Sequence, residues 1–220
     1  MPGTLYIVAT PIGNLEDITL RAIETLKGVD LIAAEDTRHT KILLDRYQIK
    51  APTTSYFEHN KVQKTDYLLR VLKEGKSVAL VSDAGTPGIS DPGYLVIRIC
   101  IENNIRVVPI PGPSGLITAL TVSGKPTDRF TFEGFLSNKA GRRRNQLKKL
   151  RDEKRTVVLY ESPHRILKLL EDILAVYGDT ELVLARELTK KFEEIRRERA
   201  SSLIEHFKKT KPRGEFIVIL

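Results

Sequence analysis

Tryptophan is absent from this 220-residue chain, and cysteine and methionine each occur once. A lone cysteine cannot form an internal disulfide, and Cys100 lies in the apolar run 95–101, so we expect a buried thiol rather than a reactive one. No apolar run approaches the roughly 20 residues that a membrane-spanning helix needs. The first residues also lack the basic and then apolar layout of a signal peptide. These absences predict a cytoplasmic protein that does not associate with membranes.

Signatures of several enzyme classes are missing as well. Neither G-x-G-x-x-G nor G-x-x-x-x-G-K-[ST] occurs, so the sequence does not support a nicotinamide site or a P-loop. The histidines have no zinc-ligand spacing, and no G-x-S-x-G motif is present, so neither a metal nor a nucleophilic serine is expected. Methyl transfer from a sulfonium donor needs little of this machinery. The leaving group is already activated, and the protein chiefly aligns the reactants and helps to deprotonate the acceptor.

Negative charge is in the minority, because 36 Lys and Arg residues outnumber 28 Asp and Glu residues and give a formal net charge of +8. Such an excess favours a polyanionic partner, although a solvated basic surface would have the same composition. The clustering of the basic residues favours a polyanionic partner. The basic residues concentrate in segments 139–151, 196–199 and 208–213.

Short apolar runs alternate with helical patterns along the chain. Strands are predicted near 5–9, 31–34, 53–57, 77–82 and 106–110. Asp17 or Thr19 is expected to cap the first helix, and the second helix is predicted over about 40–47. This alternation is typical of a mostly parallel, doubly wound α/β domain, which we assign to residues 1–115.

Residues 116–220 are predicted to form a second α/β domain. Strands and helices continue to alternate there, but the last strands follow one another over short connections, so a mixed sheet is expected. The break in pattern at 124–128 is a candidate linker.

Three loops rich in small residues each leave a predicted strand for a helix. The longest, 82–93, holds three glycines and two prolines and begins with Asp83 after a buried strand. Ligands of open α/β sheets bind at the carboxyl ends of strands, so this loop is a candidate binding loop, with a tight surface turn as the alternative. Loop 110–115 leads into a helix whose first backbone N–H groups could bind a carboxylate of the ligand. The alternative is that Ser114 simply caps this helix. Loop 10–14 closes the first strand.

Seven motifs, in order along nearly the whole chain, resemble those of one known family. They occupy residues 9–15, 34–38, 82–93, 111–114, 132–136, 160–165 and 185–190. On these motifs the chain resembles the tetrapyrrole-methylase superfamily (class III methyltransferases) and, within it, the ribosomal RNA small subunit methyltransferase I group. Members of that group methylate a cytidine ribose 2′-oxygen. Ser137, where a proline is usual, and Arg197–Glu198, in place of Arg-Gly, depart from the group's pattern. We also expect no counterpart of the small C-terminal extension that many relatives have.

The resemblance implies an S-adenosylmethionine-dependent methyltransferase that acts on 16S ribosomal RNA or the small ribosomal subunit. It also implies a homodimer and a donor cleft completed by the second domain. The residues expected at the donor are Pro11, Asp83, Ala84, Gly85, Pro87, Gly88, Ile89, Ser90, Pro111, Ser114, Tyr160, Glu161, Ala185 and Leu188.

The sequence also offers candidate side chains for binding the RNA and for removing the proton of the ribose 2′-hydroxyl. Glu187 and Lys190 are candidates for removing the ribose 2′-proton, but an ion pair between them would explain both residues equally well. Candidate RNA contacts are Arg38, Arg142, Arg143, Arg144 and Arg165, and their alternatives are a local salt bridge, solvated surface or a helix cap. Aromatic residues such as Tyr56, Phe57 and Phe135 either stack on bases or pack in the core.

Two other functions fit parts of this pattern. One is methylation of a corrinoid or porphyrin precursor, as in other branches of the superfamily, and the basic clusters argue against it. The other is an RNA-binding module that has lost its chemistry, which predicts degraded donor loops. The three loops are intact in the sequence.

Overall fold

The computed structural model describes all residues, Met1–Leu220. The chain divides into two compact units, Met1–Ser114 and Gly115–Leu220. Segment 124–128, the candidate linker, lies inside the second unit, because the helix that precedes it packs on the second unit's sheet. No helix is both long and apolar enough to cross a membrane.

The first unit is a five-stranded sheet whose strands alternate with helices. Its elements are β1 (Thr4–Val8), α1 (Leu20–Gly28), β2 (Leu31–Ala34), α2 (Thr37–Arg46), β3 (Thr53–Ser55), α3 (Lys61–Lys73), β4 (Val78–Val81), α4 (Tyr94–Glu102) and β5 (Arg106–Ile110). All strand pairs are parallel and the spatial order is β3-β2-β4-β1-β5. The predicted parallel, doubly wound sheet is confirmed.

Helices cover both faces of this sheet. Leu26 of α1 and Leu44 of α2 pack on one face, whereas Leu68 of α3 and Cys100 of α4 pack on the other. The four-residue strands β2 and β4 are buried throughout, which is why they read as continuous apolar runs. Burial raises the pKa of the Cys100 thiol to about 11, in agreement with the expected inert thiol.

Helix starts in the first unit follow local capping. The Thr19 hydroxyl accepts the Ala22 N–H at 3.1 Å, so Thr19 is the cap of α1. Helix α2 begins at Thr37, three residues before the predicted start. The reason is that Asp36 accepts the Arg38 N–H at 2.8 Å and caps the helix there.

The second unit is built on a mixed sheet, as predicted. Its elements are α5 (Gly115–Thr121), β6 (Phe130–Phe135), α6 (Ala140–Arg151), β7 (Thr156–Glu161), α7 (Ile166–Tyr177), β8 (Glu181–Arg186), β9 (Glu194–Arg199), α8 (Ala200–Lys209) and β10 (Phe216–Ile219). The order is β6-β7-β10-β8-β9, and only β6 and β7 are parallel. Helices α6, α7 and α8 cover one face, and α5 contacts β10.

Candidate functional site

The carboxyl ends of β1 and β4 form the switch point of the first sheet. These strands are neighbours, but the chain leaves β1 for α1 on one face and β4 for α4 on the other. Such a divergence opens a crevice in which α/β proteins bind ligands. Thr10 and Gly85 join the two strand ends by paired backbone hydrogen bonds of 2.9 and 3.0 Å. Loops 10–14 and 82–93, selected from the sequence, therefore meet at this point.

The backbone of loop 82–93 is tightly turned. Gly85, Gly88 and Ser90 have φ values of +80°, +87° and +63°, in the region that favours glycine. A Cβ on Gly93 would lie only 3.0 Å from the Gly88 nitrogen, so the loop closes on itself without room for a side chain. A non-glycine residue such as Ser90 in this conformation stores strain of the kind found at ligand sites.

The loop after β5 joins the same edge. The Thr86 hydroxyl donates to the Pro113 carbonyl at 3.3 Å, and a Cβ on Gly112 would lie 3.1 Å from the Ala9 Cβ. All three loops of small residues thus pack together at the carboxyl edge. The structure brings Pro11, Asp83 and Pro111 to one place in the fold.

Glu35, which the sequence analysis did not count among the site residues, lies beside Asp83. Asp83 accepts the Asp36 N–H at 3.0 Å through Oδ1, and its own N–H donates to Glu35 Oε2 at 3.4 Å. Burial, helped by the Asp83 charge, raises the pKa of Glu35 despite that hydrogen bond. The signal was available, since Glu35 and Asp83 each follow one of two adjacent parallel strands. No cluster of His, Cys, Asp or Glu is arranged to hold a metal ion.

In the second unit, alternation along the strands separates Tyr160 from Glu161. Leu159 and Leu184 face the helices α6 to α8, so Tyr160 and Ala185 lie on the opposite face. Glu161 is only 2% exposed, and it accepts the Ser162 N–H at 2.8 Å and faces Arg165 at 3.2 Å. Burial raises its pKa. The Glu161 carboxyl therefore points into the helical core, so the predicted contact of Glu161 with the donor would have to use its backbone.

Glu187 and Lys190 form an ion pair. Lys190 Nζ lies 2.9 Å from Glu187 Oε1 and 3.1 Å from Glu215 Oε2, and Glu187 Oε1 also accepts the Glu215 N–H at 3.0 Å. Burial alone would lower the pKa of Lys190, but hydrogen bonds to the two glutamates outweigh it and the pKa is raised. Burial alone would raise the pKa of Glu187, but the bonds from Lys190 and Glu215 lower it. A general base near neutral pH requires the opposite shift in the lysine, so the ion pair is the interpretation that fits.

Strained backbone surrounds this pair. Glu187 and Thr189 have φ values of +50° and +65° although neither is glycine. Gly214 lies against Glu187, and a Cβ there would fall 2.3 Å from Glu187 Cγ. Sequence reasoning missed Gly214, since a glycine before the last strand reads as an ordinary turn.

The arginines of α6 do not play equivalent roles. Arg143 is 4% exposed, and its Nε and Nη2 lie 2.7 and 2.6 Å from Asp172 Oδ2 in α7. The prediction that Arg143 contacts RNA is wrong, because its guanidinium is buried in this ion pair. Arg144 pairs with the other Asp172 oxygen at 2.6 Å but is more than half exposed, and Arg142 is exposed.

The two remaining predicted RNA contacts, Arg38 and Arg165, are both bonded to other residues of the protein. Arg38 is almost fully exposed and pairs with Asp36 at 2.8 Å, which lowers the pKa of that carboxyl. Arg165 is mostly buried, and it donates to the Leu136 carbonyl and faces Glu161. Arg38 and Arg142 are thus accessible to a ligand, whereas Arg165 is largely occupied.

Comparison with known proteins identifies relatives along the full chain. The profile of the tetrapyrrole (corrin/porphyrin) methylases matches residues 4–204. Ribosomal RNA small subunit methyltransferase I of Thermotoga maritima is 53% identical over 99% of this chain and 98% of its own length. The protein of the same name from Synechocystis is 53% identical over 99% of this chain and 78% of its length.

Solved structures share the fold at low sequence identity. A diphthine synthase superposes with a TM-score of 0.77 at 17% identity, covering 99% of this chain and 90% of that one. A uroporphyrin-III C-methyltransferase from Thermus thermophilus, complexed with S-adenyl homocysteine, superposes with a TM-score of 0.70 at 19% identity, covering 99% and 97%. The match to the family profile and the identity to these relatives over nearly every residue show that the chain belongs to the tetrapyrrole methylases and, within them, to the ribosomal RNA small subunit methyltransferase I group.

Proposed function

We propose that this protein transfers a methyl group from S-adenosylmethionine to the 2′-oxygen of a cytidine ribose in the RNA of the small ribosomal subunit. The observation that carries the proposal is the 53% identity, over 99% of the chain, to proteins named ribosomal RNA small subunit methyltransferase I. The intact loops at the switch point support it, since an enzyme that had lost its chemistry would have no reason to keep them.

The residues at this edge fit such a donor. Loop 82–93 presents backbone with little side-chain bulk, and Asp83 offers a carboxylate for an amine or a ribose hydroxyl. Pro11, Pro111 and Ser114 belong to the neighbouring loops. In the second unit Tyr160, Ala185 and Leu188 remain the expected contacts. The solved relative that is complexed with S-adenyl homocysteine has the same fold.

When bound, the donor supplies a methyl group on a positively charged sulfur, which is an electrophile that needs no further activation. The chain's own residues then have to position the acceptor and keep water away. Lys190 is held protonated by Glu187 and Glu215, so it contributes a fixed positive charge and an ordered loop.

The RNA surface of this proposal is the exposed side of α6. Arg142 and Arg144 are exposed there with Lys148 and Lys149, and no acidic residue lies within the helix. Positive charge of this kind binds phosphates through release of counterions. Arg38 adds a second exposed contact in the first unit.

We further propose, from the family resemblance, that the protein is a homodimer and that it acts in the cytoplasm. Sedimentation of the purified protein tests whether it forms a dimer.

Methylation of a corrinoid or porphyrin precursor is the alternative enzyme activity. The fold permits it, because a uroporphyrin-III methyltransferase superposes on the chain. The identity to that protein is only 19%, and the charge clusters favour a polyanion.

Transfer of tritiated methyl from S-adenosylmethionine to three acceptors tests the function. These are small ribosomal subunits, naked ribosomal RNA and a corrinoid precursor, and mass spectrometry then maps the modified nucleotide. We expect label on a single cytidine ribose in the RNA. Label on the corrinoid alone would overturn the proposal, and RNA binding with neither donor binding nor methyl transfer would favour the RNA-binding module.

A further inference from the structure

An aromatic cluster lies at the edge of the second sheet. Phe135 is 54% exposed at the end of edge strand β6. Its ring packs edge-to-face against Tyr160, with centroids 5.8 Å apart, and Tyr160 packs in the same way against Phe132 at 4.8 Å. Three aromatic rings on one sheet face, the outermost of them largely in solvent, are not explained by core packing.

A β-bulge builds this cluster. Phe132 is opposite Val158 and Phe135 is opposite Tyr160, so β6 has one residue more than β7 between these pairs. In a regular strand, residues three positions apart point to opposite faces. The extra residue, together with Gly134 at φ +59°, turns Phe135 to the same face as Phe132. Bulges of this kind re-aim a side chain, and they are frequent next to functional sites.

Strand β6 leads into the most basic helix of the protein. The connection is short and ordered, because the Ser137 N–H donates to Gln146 of α6 at 2.9 Å. Arg143 anchors the first turn of α6 through Asp172 and also reaches the Ser137 carbonyl at 3.4 Å. The start of α6 is therefore held beside the end of β6. The exposed basic residues of α6 and the residue before it are Lys139, Arg142, Arg144, Lys148, Lys149 and Arg151.

We infer that Phe135, backed by Tyr160 and Phe132, is a stacking platform for an unpaired base of the RNA substrate, while Lys139 and Arg142, at the start of α6 beside the end of β6, bind the adjacent phosphates. Single-stranded nucleic acid is commonly bound by this combination of aromatic faces and a cationic track. Charge complementarity favours this occupant over a protein or a lipid tail. The inference rests on the proposed RNA substrate and specifies where an unpaired nucleotide lies.

The test measures binding of a short single-stranded RNA that carries the fluorescent base 2-aminopurine. Loss of one stacking interaction weakens binding roughly 5- to 150-fold, so we expect this range for Phe135→Leu. Phe135→Tyr keeps a stacking ring and should bind like the unaltered protein. Phe192→Leu is the matched control, since Phe192 is 66% exposed in the same unit but is remote in sequence from β6.

Two further readouts separate stacking from other roles. The salt dependence of binding should be the same in Phe135→Leu as in the unaltered protein, because a phenyl ring carries no charge. Calorimetric titration with S-adenosylmethionine should also give an unchanged donor affinity. Thermal unfolding of each variant shows whether it folds. If Phe135→Leu is unfolded, RNA binding is measured with Phe135→Ser instead. Stacking is then also tested by the quenching of 2-aminopurine fluorescence when the RNA binds the unaltered protein.

The inference is overturned if Phe135→Leu binds the RNA as tightly as Phe192→Leu. It is also overturned if Phe135→Leu loses donor affinity and keeps RNA affinity, which would assign the rings to the adenine of the donor. Either result can occur while the unaltered protein methylates small ribosomal subunits, so the platform can fail without the proposed function. Absence of methyl transfer by the unaltered protein would instead count against the function.

Discussion

Among single residues, Gly214 shows how one missing side chain permits an ion pair. Its φ of +83° and its contact with Glu187 leave no room for a Cβ. Gly124 has a similar φ of +76°, but the nearest atom to a methyl group at that position would be Arg197 Nε at 4.0 Å, so it is a matched control.

We predict that Gly214→Ala destabilises the protein more than Gly124→Ala does. The left-handed backbone alone costs an alanine about 1 kcal/mol at either position. At position 214 the methyl group also displaces Glu187 and breaks its bond to Lys190, which adds about 1–2 kcal/mol. Thermal unfolding measures both changes. Equal losses of stability would show that Glu187 moves aside freely.

Asp83 is the residue on which the donor site can be tested directly. A hydrogen bond to a charged group contributes about 1.5–3 kcal/mol, so Asp83→Ala should weaken S-adenosylmethionine binding by roughly tenfold or more. Asp45→Ala is the control, because Asp45 is exposed on α2 and pairs only with Lys41. Calorimetry measures the affinity. An unchanged affinity in Asp83→Ala would remove this carboxylate from the donor site.

At the scale of elements, Asp172 ties helix α6 to helix α7. It is buried and pairs with both Arg143 and Arg144. Asp172→Asn leaves the buried Arg143 charge uncompensated, and we expect a loss of about 3–5 kcal/mol in the free energy of unfolding. Replacing both partners, Arg143→Met with Asp172→Leu, should restore most of it, since an apolar pair needs no counterion. A double variant as unstable as Asp172→Asn would contradict this account.

The exposed face of α6 is the element expected to bind phosphate. We predict that the triple variant Arg142→Ala, Lys148→Ala and Lys149→Ala binds RNA more weakly and with a flatter salt dependence. The slope should fall by about 0.7 for each phosphate of a single strand that the variant no longer neutralises. Arg143→Met is the contrasting variant, because Arg143 is buried. Losing its charge should lower the stability of the protein and leave the salt dependence of RNA binding unchanged. Filter binding over a series of salt concentrations measures both, and an unaltered slope in the triple variant would mean that these residues only face solvent.

For the molecule as a whole, shifted carboxyl groups set the response to acid. Hydrogen bonds and nearby positive charges lower the pKa of more carboxyl groups than burial raises. The carboxyl groups with a lowered pKa lie in both units and are Asp36, Glu153, Asp179, Glu187 and Glu198. A lowered pKa in the folded state gives stability that is complete above the unfolded pKa of about 4 and is lost as the pH falls through the folded value. The buried Glu35 and Glu161 act in the opposite sense, because their raised pKa values cost stability as the pH rises.

We therefore predict that the midpoint of thermal unfolding falls as the pH drops below about 4. Glu187→Gln should flatten part of this fall, because an amide does not titrate. Glu24→Gln, a change at an exposed glutamate, is the control. Equal acid responses of the two variants would show that the Glu187–Lys190 pair adds no pH-dependent stability.

Much of the fold could be predicted because its elements are marked locally. The buried runs of β2 and β4 and the threonine cap of α1 lie within a few neighbouring residues, and the structure places them where periodicity does. The start of α2 is an exception. Periodicity predicts it three residues late, because Asp36, which caps the helix, reads in the sequence as the end of a strand.

The alternation of strands and helices, the positive charge and the family can be read from the amino-acid sequence, because they depend on residues close together in the chain or on ordered motifs. Packing established which arginine of α6 is buried, that Lys190 pairs with Glu187 and Glu215, and that Phe135 joins Tyr160. Each of these outcomes depends on a partner or a bulge that packing brings together. The Asp172 that neutralises Arg143 is 29 residues away, and no local pattern contains that contact.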